Sequence, residues 1–169
     1  MTPSPTITVM GVDPSLTCTG WAVLRGTSED DCLLVAWGTK RQKSSLPEEV
    51  RGALIAAEIV AQIEEHRPDV LGVETQYAAP GRGNSSLKVA AVRGAITFAA
   101  HQYSVRVVLV QPATAKLAIA GNGHASHQEV QQAAHDRFQE KLPQDAAYAV
   151  AMALVAMADE LKLRLRGGL

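Results

Sequence analysis

Residues 7–23 read ITVMGVDPSLTCTGWAV. An apolar, β-prone run from Ile7 to Val12 ends in a single carboxylate, Asp13. Pro14, Ser15 and a Thr-rich turn follow, and a second apolar run leads from Gly20 through Trp21 to Leu24. The pattern predicts a strand, a tight turn and a return strand, with an acid at the first strand's exit. Asp is a poor strand former. An acid at the end of a buried strand needs either a cation or the hydrogen bonds of a turn that it caps, and this stretch alone leaves both readings open.

Working outward, the pattern recurs. Cys32–Trp37 (CLLVAW) predicts a third strand, so the first forty residues read as an antiparallel meander. Ser45, with Glu48 three residues on, is the expected cap of a helix over Pro47–His66. Val50, Leu54, Ala57, Ala61 and Ile63 mark the expected buried face of that helix. After Pro68, Asp69–Val73 (DVLGV) is a short strand that again delivers a carboxylate, Glu74. Functional sites of α/β sheets lie at the C-terminal ends of strands. If the two strands are neighbours, Asp13 and Glu74 converge, and a divalent cation would relieve their repulsion.

The segment Thr75–Ser85 is a Pro- and Gly-rich loop with Tyr77 and Arg82. An aromatic beside a cation can stack on an unpaired base while the cation holds phosphate, or its ring can pack on the core. Ser86–Gln102 predicts a helix whose face of Leu87, Ala90, Ala91, Gly94, Ala95 and Phe98 suits close helix approach, in the core or across a dimer. A strand over Val105–Val110 and a helix over Ala113–Ala120, carrying Lys116, come next. Ser126 and Glu129 form a capping pair for His127–Phe138. The last helix runs from Gln144 to about Leu163, with Asp145 in the first turn where the helix dipole favours an acid. A basic tail from about residue 164 is expected to fray.

A chain of 169 residues suits one domain over 1–169. With 47% apolar and 20% charged residues it should fold, and with 4% aromatics its core is built from Ala, Val, Leu and Ile. Cys18 and Cys32 make no disulfide framework. The N-terminus has no secretory pattern, and no apolar run reaches the roughly 20 residues needed to span a bilayer, so a soluble cytoplasmic protein without membrane partners is expected. Net charge is −1, yet Thr75–Gln128 contains no acid and carries Arg82, Lys88, Arg93, Arg106 and Lys116. Such a stretch is either a phosphate-binding surface or a face neutralised from other segments.

In order, the blocks are GVDPSLTCTGWAV, VETQY, SLKVAAVRGA, PATAKLAIAGNGHASHQEVQ and QDAAYAVAMA. Together, from about Ile7 to Ala158, they resemble the RuvC-type Holliday-junction resolvases of bacteria or their phages. The resemblance implies an RNase H-like α/β fold, a five-stranded mixed sheet with helices on both faces. It implies a homodimer that binds a four-way DNA junction and nicks two like strands symmetrically. Carried over, Asp13, Glu74 and Asp145 match metal-binding acids, Tyr77 an aromatic near the junction centre, and Lys116 a basic residue near the scissile phosphate. The implied chemistry is hydrolysis assisted by two Mg²⁺ roughly 4 Å apart, with Mn²⁺ as a substitute. Asp13 would bridge the ions, Lys116 would neutralise charge on the phosphate, and Arg82, Lys88, Arg93 and His127 would join Tyr77 and Lys116 in contacting DNA. Two positions depart from the pattern. His127 stands where the family usually has a second Lys. Tyr148 stands where the last-helix motif carries a further acid, and a phenol is a poor Mg²⁺ ligand. The alternative reading is therefore a junction-binding protein of the same fold with weak or no nuclease activity. A nucleotide-binding ATPase with a similar strand–Asp–turn hairpin would need two such domains, so no nucleotide cofactor is expected.

Overall fold

The computed structural model describes residues 5–75 and 83–167, with only the backbone for 83–86. Its elements are β1 (Ile7–Asp13), β2 (Cys18–Gly26), β3 (Cys32–Arg41), α1 (Glu48–His66), β4 (Val70–Glu74), α2 (Gly83–Gln102), β5 (Arg106–Val110), α3 (Pro112–Ala120), α4 (His127–Phe138) and α5 (Gln144–Gly167). The five strands form one sheet in the order β3-β2-β1-β4-β5. The β1–β2 and β2–β3 pairs are antiparallel, and the β1–β4 and β4–β5 pairs are parallel. This is the mixed, RNase H-like sheet.

Side-chain alternation along β1 and β4 divides the core in two. Ile7, Val9 and Val70 pack with Ala115 of α3, Val130 and Ala134 of α4, and the length of α5. Met10, Val12, Leu71 and Val73 point the other way, onto Ile55, Ile59 and Ile63 of α1 and Val92, Ile96 and Ala100 of α2. α5 is buried without a break from Ala146 to Leu154. That explains its almost wholly apolar sequence, because the sheet covers one side and α3 and α4 the other.

Several local expectations are corrected. Pro47, not Ser45, holds the N-cap position of α1, and no side chain caps that helix. The buried face of α1 is Ile55, Ile59 and Ile63, while Val50 and Leu54 are each 40% exposed. On α2 the core takes Val92, Ile96, Ala99 and Ala100; of the two places open to the face of Leu87 and Phe98, the core is excluded, since they are 70% and 66% exposed. β3 continues to Arg41, because Cys18–Gly20 of β2 pair with Thr39–Arg41. α5 runs on to Gly167 where a frayed tail was expected. Arg164 anchors it, with Nε 2.8 Å from Glu160 and a terminal nitrogen 2.9 Å from Asp69. The capping box of Ser126 and Glu129 forms as read.

Candidate active site

Strand parity sets the site. Asp13 lies two residues beyond Gly11 on β1, and Glu74 two beyond Gly72 on β4, so both acids face α5. The parallel register pairs Val12 with Val73, and the next residue on each strand is the acid. The expected convergence is therefore built into the ladder. The two carboxyls lie within hydrogen-bond reach of each other. Burial first, then the charges of Glu74 and Asp145, raise the Asp13 pKa well above the ordinary carboxylate range. Burial also raises Glu74, opposed by the Asp13 hydrogen bond and by the Lys116 ammonium. Lys116 reaches the site from the middle of α3, which starts immediately after β5.

Asp145 arrives on the first turn of α5, and three glycines let it in. A Cβ on Gly20, Gly11 or Gly72 would overlap the backbone of Asp145, Ala149 or Met152 respectively. These positions are four and three residues apart, one face of a helix. Gly11 and Gly72 are register partners, and Gly20 pairs directly with Asp13. The helix axis therefore lies almost on the sheet across β2, β1 and β4, and its first turn comes to rest beside Asp13. Cys18 is buried at the start of β2, and burial, followed by the neighbouring Asp145 carboxylate, raises its thiol pKa.

Tyr148 sits one turn beyond Asp145. It is 5% exposed, and its ring centroid is 5.3 Å from that of His127. Burial, followed by the charges of Asp13 and Glu74, raises its pKa above that of an ordinary phenol, so the hydroxyl is neutral. His127 is the first residue of α4 and is exposed.

The other basic candidates are placed differently. Lys88 is bound to Glu48 across α1 and α2 at 2.5 Å. Arg106 pairs with Asp159 and Glu160 at 2.9 and 2.8 Å. The acid-free segment is thus partly neutralised by acids from elsewhere, which removes much of the basic surface its sequence implies. Arg93 is half-buried on α2. Tyr77 and Arg82 lie outside the described residues.

The donor set suits a hard divalent cation, since Asp13 and Glu74 are two oxygen ligands forced together and half-buried. Among the described residues no three His, Cys, Asp or Glu side chains stand close enough to hold an ion by themselves. The acids offer a pair with a charged neighbour, an open site rather than a closed cage.

The family model for crossover junction endodeoxyribonuclease RuvC matches residues 9–156. The chain belongs to the RuvC family. Relatives within it include the crossover junction endodeoxyribonuclease RuvC of Protochlamydia amoebophila, 30% identical over 88% of this chain and 89% of that protein. The RuvC of Renibacterium salmoninarum is 33% identical over 86% of this chain and 77% of that protein. The structure of T. thermophilus RuvC in complex with Holliday junction substrate superimposes with a TM-score of 0.80, at 26% identity, over 95% of this chain and 96% of that one. As a RuvC, the protein is a crossover junction endodeoxyribonuclease, and family membership implies a divalent-metal-dependent nuclease. The reading as a binding protein without nuclease activity is not favoured. No described helix is long and apolar enough to cross a membrane.

The sequence alone does not mark four contributors, Gly11, Gly20, Gly72 and Cys18. Gly20 is visible in sequence only as a turn glycine, and Cys18 only as an unpaired cysteine.

Proposed function

We propose that this chain resolves four-way DNA junctions as a homodimer, each protomer nicking one of two like strands. The observation that carries this is the contact between Asp13 and Glu74 at the ends of neighbouring parallel strands, with Asp145 brought alongside. A RuvC from Thermus thermophilus has been seen with Holliday junction substrate, and this chain matches its fold over nearly its whole length.

Asp13 and Glu74 would hold the divalent cation, with Asp145 adding a third carboxylate. Mg²⁺ is the preferred ion in this reading, two per site, with Mn²⁺ able to replace it. When bound, the metal supplies Lewis-acid polarisation of the phosphate and an activated water. Lys116, already drawn toward Glu74, neutralises charge that builds on the phosphate. Tyr77 and Arg82, in the segment after Glu74, and His127 at the start of α4 complete the DNA contacts. Specificity comes from junction shape and dimer symmetry more than from base edges. The enzyme works in the cytoplasm, where the DNA is, as one domain over 1–169.

The test is a nicking assay on a synthetic four-way junction in Mg²⁺ and in Mn²⁺. Paired symmetric nicks are expected. Tight junction binding without nicks in either metal would overturn the reading.

The dimer surface in this proposal is the outer face of α2. Leu87 and Phe98 are large apolar side chains 70% and 66% exposed, with the exposed small residues Ala91 and Gly94 between them. Val50 and Leu54 of α1 are exposed as well. Apolar residues gathered on one face mark an interaction site, and a small-residue strip lets two helices approach closely. Phe98→Glu should convert the dimer to a monomer in sedimentation equilibrium. The monomer should stay folded, because an exposed substitution shifts a protomer's own stability by only about 0.5 kcal/mol, and its melting temperature should lose the dependence on protein concentration that the dimer shows. An unchanged dimer would remove this face from the interface.

A further inference from the structure

Tyr148 holds a donor that the protein does not use. Its hydroxyl is buried and has no hydrogen-bond partner among the described residues. An orphaned buried hydroxyl is destabilising, and native interiors rarely leave one without a reason. Packing supplies none, because a Phe would fill the same volume and make the same ring contact with His127 at no such cost. The position does supply one. Tyr148 stands one turn along α5 from Asp145, and the charges of Asp13 and Glu74 reach its hydroxyl. Neither carboxyl accepts a hydrogen bond from it. The phenol stays protonated, so it has a hydrogen to give. It is shielded from the surface, so only an oxygen held inside the site can take that hydrogen.

We propose that the Tyr148 hydroxyl donates its hydrogen bond to a water carried by the divalent cation at Asp13 and Glu74, and so positions that water. Tyr148 is then a positioning residue that strengthens metal binding from outside the metal's own ligands. Partners of this kind are worth about 10–100-fold in metal affinity. The inference rests on the assignment of Asp13 and Glu74 as the metal-holding pair.

The experiment is a Mn²⁺ titration followed by electron paramagnetic resonance on wild type, Tyr148→Phe and Asp13→Asn, without DNA. Thermal melting in EDTA and junction binding in EDTA accompany it. Tyr148→Phe should bind Mn²⁺ about 10–100-fold more weakly. In EDTA it should melt at the same temperature as wild type or higher, because only an orphaned hydroxyl is lost. Its junction affinity in EDTA should be unchanged. Wild-type Mn²⁺ affinity in Tyr148→Phe would overturn the proposal, and so would a lower melting temperature in EDTA, which would mean a structural role. A loss of junction affinity in EDTA would also overturn it, because the acceptor would then be a DNA phosphate. If Asp13→Asn binds Mn²⁺ as wild type does, the metal assignment itself falls, a failure distinguishable from that of Tyr148 alone.

Discussion

Asp13→Asn is expected to lower strand cleavage by roughly a thousandfold or more, since a lost metal contact is worth several kcal/mol and each 1.4 kcal/mol is a factor of ten. Junction binding should survive, because the substitution removes a negative charge from a surface that meets phosphates. Stability should move the other way. In the metal-free protein, the Asp13 and Glu74 pKa values are raised above their unfolded values, chiefly by burial and, for Asp13, by the neighbouring acids. A raised folded pKa means that the native state binds protons more tightly than the unfolded chain, so stability falls as pH rises. The contribution is complete below the ordinary carboxylate range and is lost as pH climbs from there through the raised folded values. Most native carboxylates are depressed by their partners and give the opposite slope. Melting in EDTA across mildly acidic to neutral pH should therefore show a decline that Asp13→Asn flattens. Added Mg²⁺ should restore melting temperature to wild type at neutral pH and do little for the variant. A wild-type melting temperature that rises over that range in EDTA would show that the pair is not strained.

The convergence of those two acids was legible because it depends on features that sequence displays. A short apolar run and a terminal acid mark each strand, and the parallel pairing is what a helical crossover such as α1 produces. The capping pair Ser126 and Glu129 was legible for the same reason, a local pattern with a local cause. The inward face of α2 was not. Its sequence is apolar or small on every side, so Val92 and Ile96 carry no more signal than Leu87 and Phe98. Only the packing of α1 decides which pair turns inward. On α1 the core takes Ile55 and Ile59, each five residues beyond Val50 and Leu54 and therefore on a different face of the helix. Charge had the same limit. Lys88 and Arg106 sit in an acid-free segment, yet Glu48, Asp159 and Glu160 reach them from distant parts of the chain. Tyr148 could be seen as a departure from a motif, whereas its unpartnered hydroxyl is a fact of three-dimensional packing.

The glycines that seat α5 were invisible for a related reason. Gly11, Gly20 and Gly72 form a line only after register and parity are known, since they come from three strands. Their consequence is sharpest at Gly20. A Cβ there would overlap the Asp145 carbonyl and the Ala146 amide, which are backbone atoms that no rotamer change can move aside. Gly20→Ala must therefore lift the first turn of α5 off the sheet or bend β2. Overpacking of this kind costs about 1–3 kcal/mol, a fall in melting temperature of roughly 3–10 °C for a chain of this size. The effect on cleavage should be larger than stability alone explains. Gly20 is the direct partner of Asp13 in the β1–β2 ladder, so lifting the helix separates Asp145 from Asp13. A misplacement of about 1 Å can cost roughly a hundredfold in rate. Gly52→Ala provides the control. Its added methyl meets Val92 at an ordinary 3.7 Å and sits inside a helix, so both melting temperature and nicking should hold. If Gly20→Ala melts lower but nicks at the wild-type rate per folded molecule, Asp145 is not needed beside Asp13, and cleavage rests on Asp13 and Glu74 with Lys116. If it nicks a hundredfold more slowly while still folded, the close seating of α5 is what assembles the site, and a methyl group on the far side of Asp13 is enough to take it apart.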